Sequence, residues 1–159
     1  MNKTTSIDKT TSTDNIKIKG IDIEKLDQAL ENEKNENMFN LSLDKIMEMN
    51  VKIINELKLP KKDALVLCKK LNECMFIDEL SDIREGAYIK WIPIKDDSLS
   101  DIKLKEGAFI CGYEIGEKGV YIKCKNFRHG YFSLYLENNL IFQKLSSQEL
   151  IILTAMKYI

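Results

Sequence analysis

The chain has 159 residues, of which 44% are hydrophobic and 31% charged, with a formal net charge of −1 at pH 7. It is long enough to bury a real core. No run approaches the roughly 18–20 apolar residues of a membrane span, and the first residues lack the apolar centre of a secretory signal, so a cytoplasmic protein without a membrane partner is expected.

Residues 1–19 are rich in Thr and Ser, hold no aromatic residue, and offer only Ile7, Ile16 and Ile18 as larger apolar side chains. Such a segment buries too little surface to offset its ordering entropy, and a disordered tail is expected, available to order on a partner. Residues 20–83 read as a helical region. In residues 21–30, Ile23, Leu26 and Leu30 follow Asp22 at helical spacing, whereas residues 31–37 read as solvated linker. Ser42 is a candidate N-cap, and Leu43, Ile46, Met47, Ile53, Ile54 and Leu57 fall on one face of a helix over 42–58 that Pro60 ends. Ala64, Leu67, Cys68, Leu71 and Met75 recur at three- and four-residue steps, which extends a second helix over 61–74. The two helices form a hairpin.

Residues 84–145 change character. Residues 87–94, 108–115, 120–125, 131–136 and 140–143 are short runs rich in β-branched and aromatic residues, separated by Gly- or Asn-bearing turns. Residues 120–125 and 131–136 alternate on a period of two. Five short strands, one long polar first loop over 95–101 and three tight later connections are the plan of an SH3-like small β-barrel, with a plain meander packed on helices as the alternative. Residues 146–159 begin with a capping box, Ser146 to Glu149, and continue as an apolar helix that packs on the hairpin or the open end of the barrel, or serves as a dimer contact. The expected fold is therefore α+β: an N-terminal helical hairpin, a five-stranded antiparallel SH3-like barrel and a C-terminal helix.

Three runs, residues 86–92 (Gly-Ala-Tyr-Ile-Lys-Trp-Ile), 122–128 (Ile-Lys-Cys-Lys-Asn-Phe-Arg) and 140–146 followed by Gln148 and Glu149, resemble small uncharacterised proteins of giant, mimivirus-like DNA viruses. The resemblance covers residues 83–159. It implies a viral protein made in host cytoplasm and packaged in the particle, and it carries no activity with it.

Signs of catalysis are sparse. The one histidine, His129, sits in a hairpin loop without a nucleophile motif beside it. No phosphate-binding glycine loop and no zinc-protease motif occurs. Asp96, Asp97 and Asp101 lack the spacing of a calcium loop, and Cys68, Cys74, Cys111 and Cys124 lack metal-site spacing and read as free thiols of a reducing compartment. No catalytic residue, metal or cofactor is expected.

Binding is better supported. If Val120, Ile122, Cys124, Phe132, Leu134 and Leu136 face the core, Tyr121, Lys123, Lys125, Tyr131 and Tyr135 share the outer face, with Tyr88, Lys90, Trp91 and Arg128 as further candidates. Tyrosines interleaved with basic residues suit a nucleic-acid platform. Residues 84–145, however, carry 10 Lys/Arg against 8 Asp/Glu, too small an excess for a typical nucleic-acid-binding domain. The first expectation is therefore a non-catalytic protein-binding or structural module, including self-association, and nucleic-acid binding is the second.

Overall fold

The computed structural model describes residues 17–18, 20–94 and 102–158, so most of the expected tail and the polar loop over 95–101 lie outside the described residues. The chain divides into two compact units, one formed by the residues up to Leu43 with those from Ser146 onward, the other by Asp44–Leu145.

In the first unit, β1 (Lys17–Ile18) and β2 (Ile21–Asp22) form a small antiparallel ladder. Asp22 then caps α1 (Ile23–Glu31), its side chain accepting from the Glu24 N–H at 3.0 Å. The inward residue of α1 is Ala29, while Leu30, expected inside, is exposed. Residues 31–37 are not plain linker: Glu33–Asn40 forms a 3₁₀ helix that buries Asn35 and Met38. A polar network explains it. Gln148 Oε1 accepts from Asn32 Nδ2 at 2.8 Å and from Asn35 Nδ2 at 3.1 Å, and Asn35 Nδ2 also donates to the Ala29 carbonyl at 2.9 Å. Gln148 belongs to α4 (Ser147–Met156), which opens with the expected capping box: Glu149 N–H donates to Ser146 Oγ at 3.1 Å, and Ser146 N–H to Glu149 Oε1 at 2.8 Å. Within this unit α4 packs on α1 and the 3₁₀ segment.

The second unit contains the two expected helices, α2 (Leu43–Asn55) and α3 (Lys61–Lys70), and a six-stranded antiparallel sheet. Ile46, Ile54 and Leu57 point inward as expected, but Met47 is exposed. Helix α3 stops earlier than the periodicity of residues 61–74 suggests. Glu73 adopts a left-handed φ of 62°, and β3 (Cys74–Phe76) leaves as a strand. The five expected strands are β4 (Tyr88–Pro93), β5 (Lys105–Gly116), β6 (Gly119–Asn126), β7 (Tyr131–Tyr135) and β8 (Asn139–Lys144).

The strand order is β3-β8-β4-β5-β6-β7. In a flat sheet four spacings of ~4.8 Å would hold β7 and β8 about 19 Å apart. Only the 3₁₀ turn Leu136–Asn138 joins them, and its four chain steps cover at most about 14 Å even when fully extended. The sheet must curl. Its inner face accordingly gathers Ile89, Ile110, Ile122, Cys124, Leu134 and Ile141 from five strands into one core, and the Trp91 and Phe132 rings meet at 5.6 Å although three strand steps separate β4 from β7. Closure is nonetheless not reached among the described residues, which corrects the closed barrel. The edge of β8 that β7 would need is taken by β3, through Cys74↔Lys144, Met75↔Gln143 and Phe76↔Phe142. On the opposite face Ile92 and Phe142 pack beneath Ile54, Leu57 and Leu71 of the helical region, so the helices cover the β3-β8-β4 end.

Trp91→Ala should lower the unfolding free energy by about 3–5 kcal/mol in chemical denaturation, the range for truncating a packed aromatic side chain. A variant as stable as wild type would contradict an inward indole.

Candidate interaction surface

Helices α2 and α3 leave the outer face of β5-β6-β7 uncovered. Register assigns its side chains. Tyr88 pairs with Phe109, Phe109 with Lys125 and Lys125 with Tyr131, one row across four strands. Glu114, Tyr121 and Tyr135 form a second row, and Gly112, Lys123 and Ser133 lie between. Rows four residues apart along β6 are about 13 Å apart. The result is two aromatic ridges flanking a low strip.

The first ridge is a ring cluster. Tyr88 and Phe109 lie 5.5 Å apart, Phe109 and Phe127 5.3 Å, and Tyr88 and Phe127 6.1 Å. Lys125 Nζ sits 5.5 Å from the Tyr131 ring centroid, a cation–π distance. Phe127 is 65% exposed and Tyr131 73% exposed. Gly107, with φ at +102°, lets the chain bend at the irregularity in the β4–β5 ladder, and a Cβ there would touch the Phe127 ring at 3.5 Å. On the second ridge the Tyr121 and Tyr135 rings lie 5.6 Å apart.

Two of the four basic candidates are compensated. Glu114 pairs with Lys123 and accepts from the Tyr121 hydroxyl. The hydrogen bond from Lys123 first, and that from Tyr121 second, hold the Glu114 carboxyl below the usual range; the same contacts with Glu114 push Lys123 and Tyr121 up. Burial raises the Tyr88 hydroxyl. Lys90 turns away from the face, donating to the Lys70 carbonyl at 2.8 Å and lying 3.6 Å from Glu106. Among the described residues neither Lys125 nor Arg128 has a carboxylate partner.

Of the residues expected at the site, Tyr88, Tyr121, Lys123, Lys125, Tyr131 and Tyr135 share the face, and Arg128 is exposed on the adjoining turn. Trp91 does not join them, because it packs inward on Phe132. Phe109, Phe127 and Glu114 were not foreseen, although inward Ala108 and Ile110 flanking Phe109 mark it as outward.

Elsewhere the chemistry is quiet. Among the described residues no group of three His, Cys, Asp or Glu could hold a metal ion. His129 is exposed, with a left-handed φ of 63°, in a turn that Asn126 organises by accepting from the Arg128 and Gly130 N–H groups, each at 2.9 Å. No helix among the described residues is long and apolar enough to cross a membrane. No family model matches the chain, and neither a curated protein nor a solved structure does.

Burial, the largest cause, pushes the Cys124 thiol from its ordinary 9.0 to about 12. The unfolded chain then releases this proton at lower pH than the native chain. Its contribution is full below about pH 9 and is lost as pH rises towards 12. Thiol titration of the native protein should label exposed Cys111 first, and Cys124 only on unfolding; early labelling of Cys124 would contradict a closed core.

Proposed function

We propose that the unit Asp44–Leu145 is an SH3-like, non-catalytic interaction module that takes a protein segment along the strip between its two aromatic ridges. The SH3-like assignment is supported by the order β8-β4-β5-β6-β7 and by the 3₁₀ turn that carries β7 back to β8, with β3 as an addition to that plan. The observation that carries the protein assignment is the exposed ring surface of Phe127, Tyr131 and Tyr135 beside a central Lys123 that Glu114 already holds. A polyanion needs cations free to neutralise phosphates. Lys123 is held by Glu114, and Lys90 turns off the face to Glu106, so Lys125 and Arg128 are the candidate cations left for phosphates, while Tyr and Phe, the residue types that anchor protein interfaces, remain exposed. The resemblance of residues 83–159 to small giant-virus proteins suggests a setting, the infected cytoplasm and the virus particle, which mass spectrometry of purified particles would test.

Two parallel experiments separate the partner classes. Labelled single- and double-stranded DNA and RNA are titrated over a salt series, and proteins are captured from producing cells with wild type beside Phe127→Ala/Tyr121→Ala, one substitution on each ridge. The expected result is no micromolar nucleic-acid binding, and capture by the folded variant reduced at least about tenfold, on the order of 1.4 kcal/mol. Steeply salt-dependent nucleic-acid binding that Lys125→Glu/Arg128→Glu abolishes would replace the protein partner by a nucleic acid. Equal capture by both proteins would remove the aromatic face from the account.

A further inference from the structure

We propose that β7 is a self-recognition edge, through which two copies of this chain join antiparallel about Ser133 into one continuous sheet. This goes beyond the aromatic face and does not depend on it.

Ladder parity decides which way the β7 backbone points. The two-residue loop of Glu117 and Lys118 makes Gly116 and Gly119 the closing hydrogen-bonded pair of the β5–β6 hairpin. Alternation then turns Tyr121 and Lys123 toward β5, and Ile122 and Cys124 toward β7. At the far end Asn126 N–H donates to the Gly130 carbonyl at 2.9 Å, and steps of two from that pair reach Cys124/Phe132 and Ile122/Leu134. Both ends agree. Phe132 and Leu134 bond to β6, and the N–H and C=O groups of Tyr131, Ser133 and Tyr135 point to the free edge.

Among the described residues one group meets that edge: Asn139 Nδ2 donates to the Tyr135 carbonyl at 3.0 Å, which leaves that oxygen a second lone pair. Tyr131, Ser133 and Tyr135 are all exposed. The strand holds neither charge nor proline, the devices that usually blunt a sheet edge, whereas the opposite edge, β3, is only three residues long.

The occupant follows from the sequence of the edge itself. Tyr-Phe-Ser-Leu-Tyr has the same pattern from either end. Antiparallel pairing about Ser133 sets Tyr131 against Tyr135 of the other copy and Phe132 against its Leu134. The smallest side chain falls on the two-fold axis, where identical groups must meet. Three outward residues on each copy give about six hydrogen bonds.

The test is the mass and amide exchange of the full chain over a concentration series reaching about 1 mM. Wild type should double its mass as concentration rises. The amides of Tyr131, Ser133 and Tyr135 should gain roughly tenfold protection across that transition, while those of Phe132 and Leu134 stay protected throughout. Ser133→Lys, which sets two ammonium groups against each other at the axis, should remain monomeric with an unchanged thermal midpoint; Phe127→Ala/Tyr121→Ala should still dimerise. A wild-type monomer at every concentration overturns the proposal, as does a folded Ser133→Lys dimer. Should Ser133→Lys not fold, the wild-type amides decide alone, and a dimer in which the three alternating amides gain no protection also overturns it.

Discussion

The three-residue turn Leu136–Asn138 is the constraint from which the shape of the sheet follows. It returns the chain from β7 to β8, which lie at opposite sides of the β8-β4-β5-β6-β7 order, and a flat sheet would put them out of its reach. Curling satisfies the turn and also creates the inner core, since it brings Leu134 of β7 and Ile141 of β8, four places apart in the strand order, into one cluster with Ile89, Ile110 and Ile122. The outer face is the remainder of that solution. One end is covered by α2 and α3 through Ile92 and Phe142, and the other carries Tyr88, Phe109, Lys125 and Tyr131 outside that cover.

Charge on this face is arranged locally. Glu114 lies across β5 and β6 from Lys123 and Tyr121, so the three side chains form one patch in which a carboxylate satisfies an ammonium and a phenol. Being exposed and screened, such a pair contributes little stability. Its effect is to fix the Tyr121 ring and to cancel the central positive charge of the strip. A surface of this kind attracts by ring burial and shape more than by long-range field, which favours a partner with apolar side chains over one with phosphates.

Strands were legible because their period of two is local: alternation alone placed Ile122, Cys124 and Leu134 inside and Tyr121, Lys123 and Tyr135 outside. The same alternation forbids Tyr88, Lys90 and Trp91 from sharing one face, and Trp91 belongs with Ile89 inside. Cys74–Phe76 was harder. Cys, Met and Phe fit the apolar step of a helix as well as a strand, and the choice is made by pairing with β8, some seventy residues away in sequence. Asn32 and Asn35 read as linker because their polar partner, Gln148, is more than a hundred positions distant. Phe127 lies in a turn, where periodicity has no meaning, and its place comes from the bare Gly107 beneath it.

The open sheet and the free edge have one origin. β8 has only two sides, and with β4 on one and β3 on the other it has no side left for β7 over Phe142–Lys144, a pairing that Ile77 N–H extends by donating to the Ile141 carbonyl at 2.8 Å. Each strand added at the β8 side thus removes the acceptor that would have closed the barrel at the β7 side. A buried glutamine reinforces the choice: Gln143 accepts from the Arg84 N–H at 3.1 Å and donates to the Asp82 carbonyl, tying the segment that follows β3 onto β8. Replacing β3 by β7 would draw that segment away and leave the buried Gln143 amide without those partners, at a cost of about 1–3 kcal/mol. The fold therefore keeps β3 in place, and the uncharged, exposed edge of β7 is the consequence.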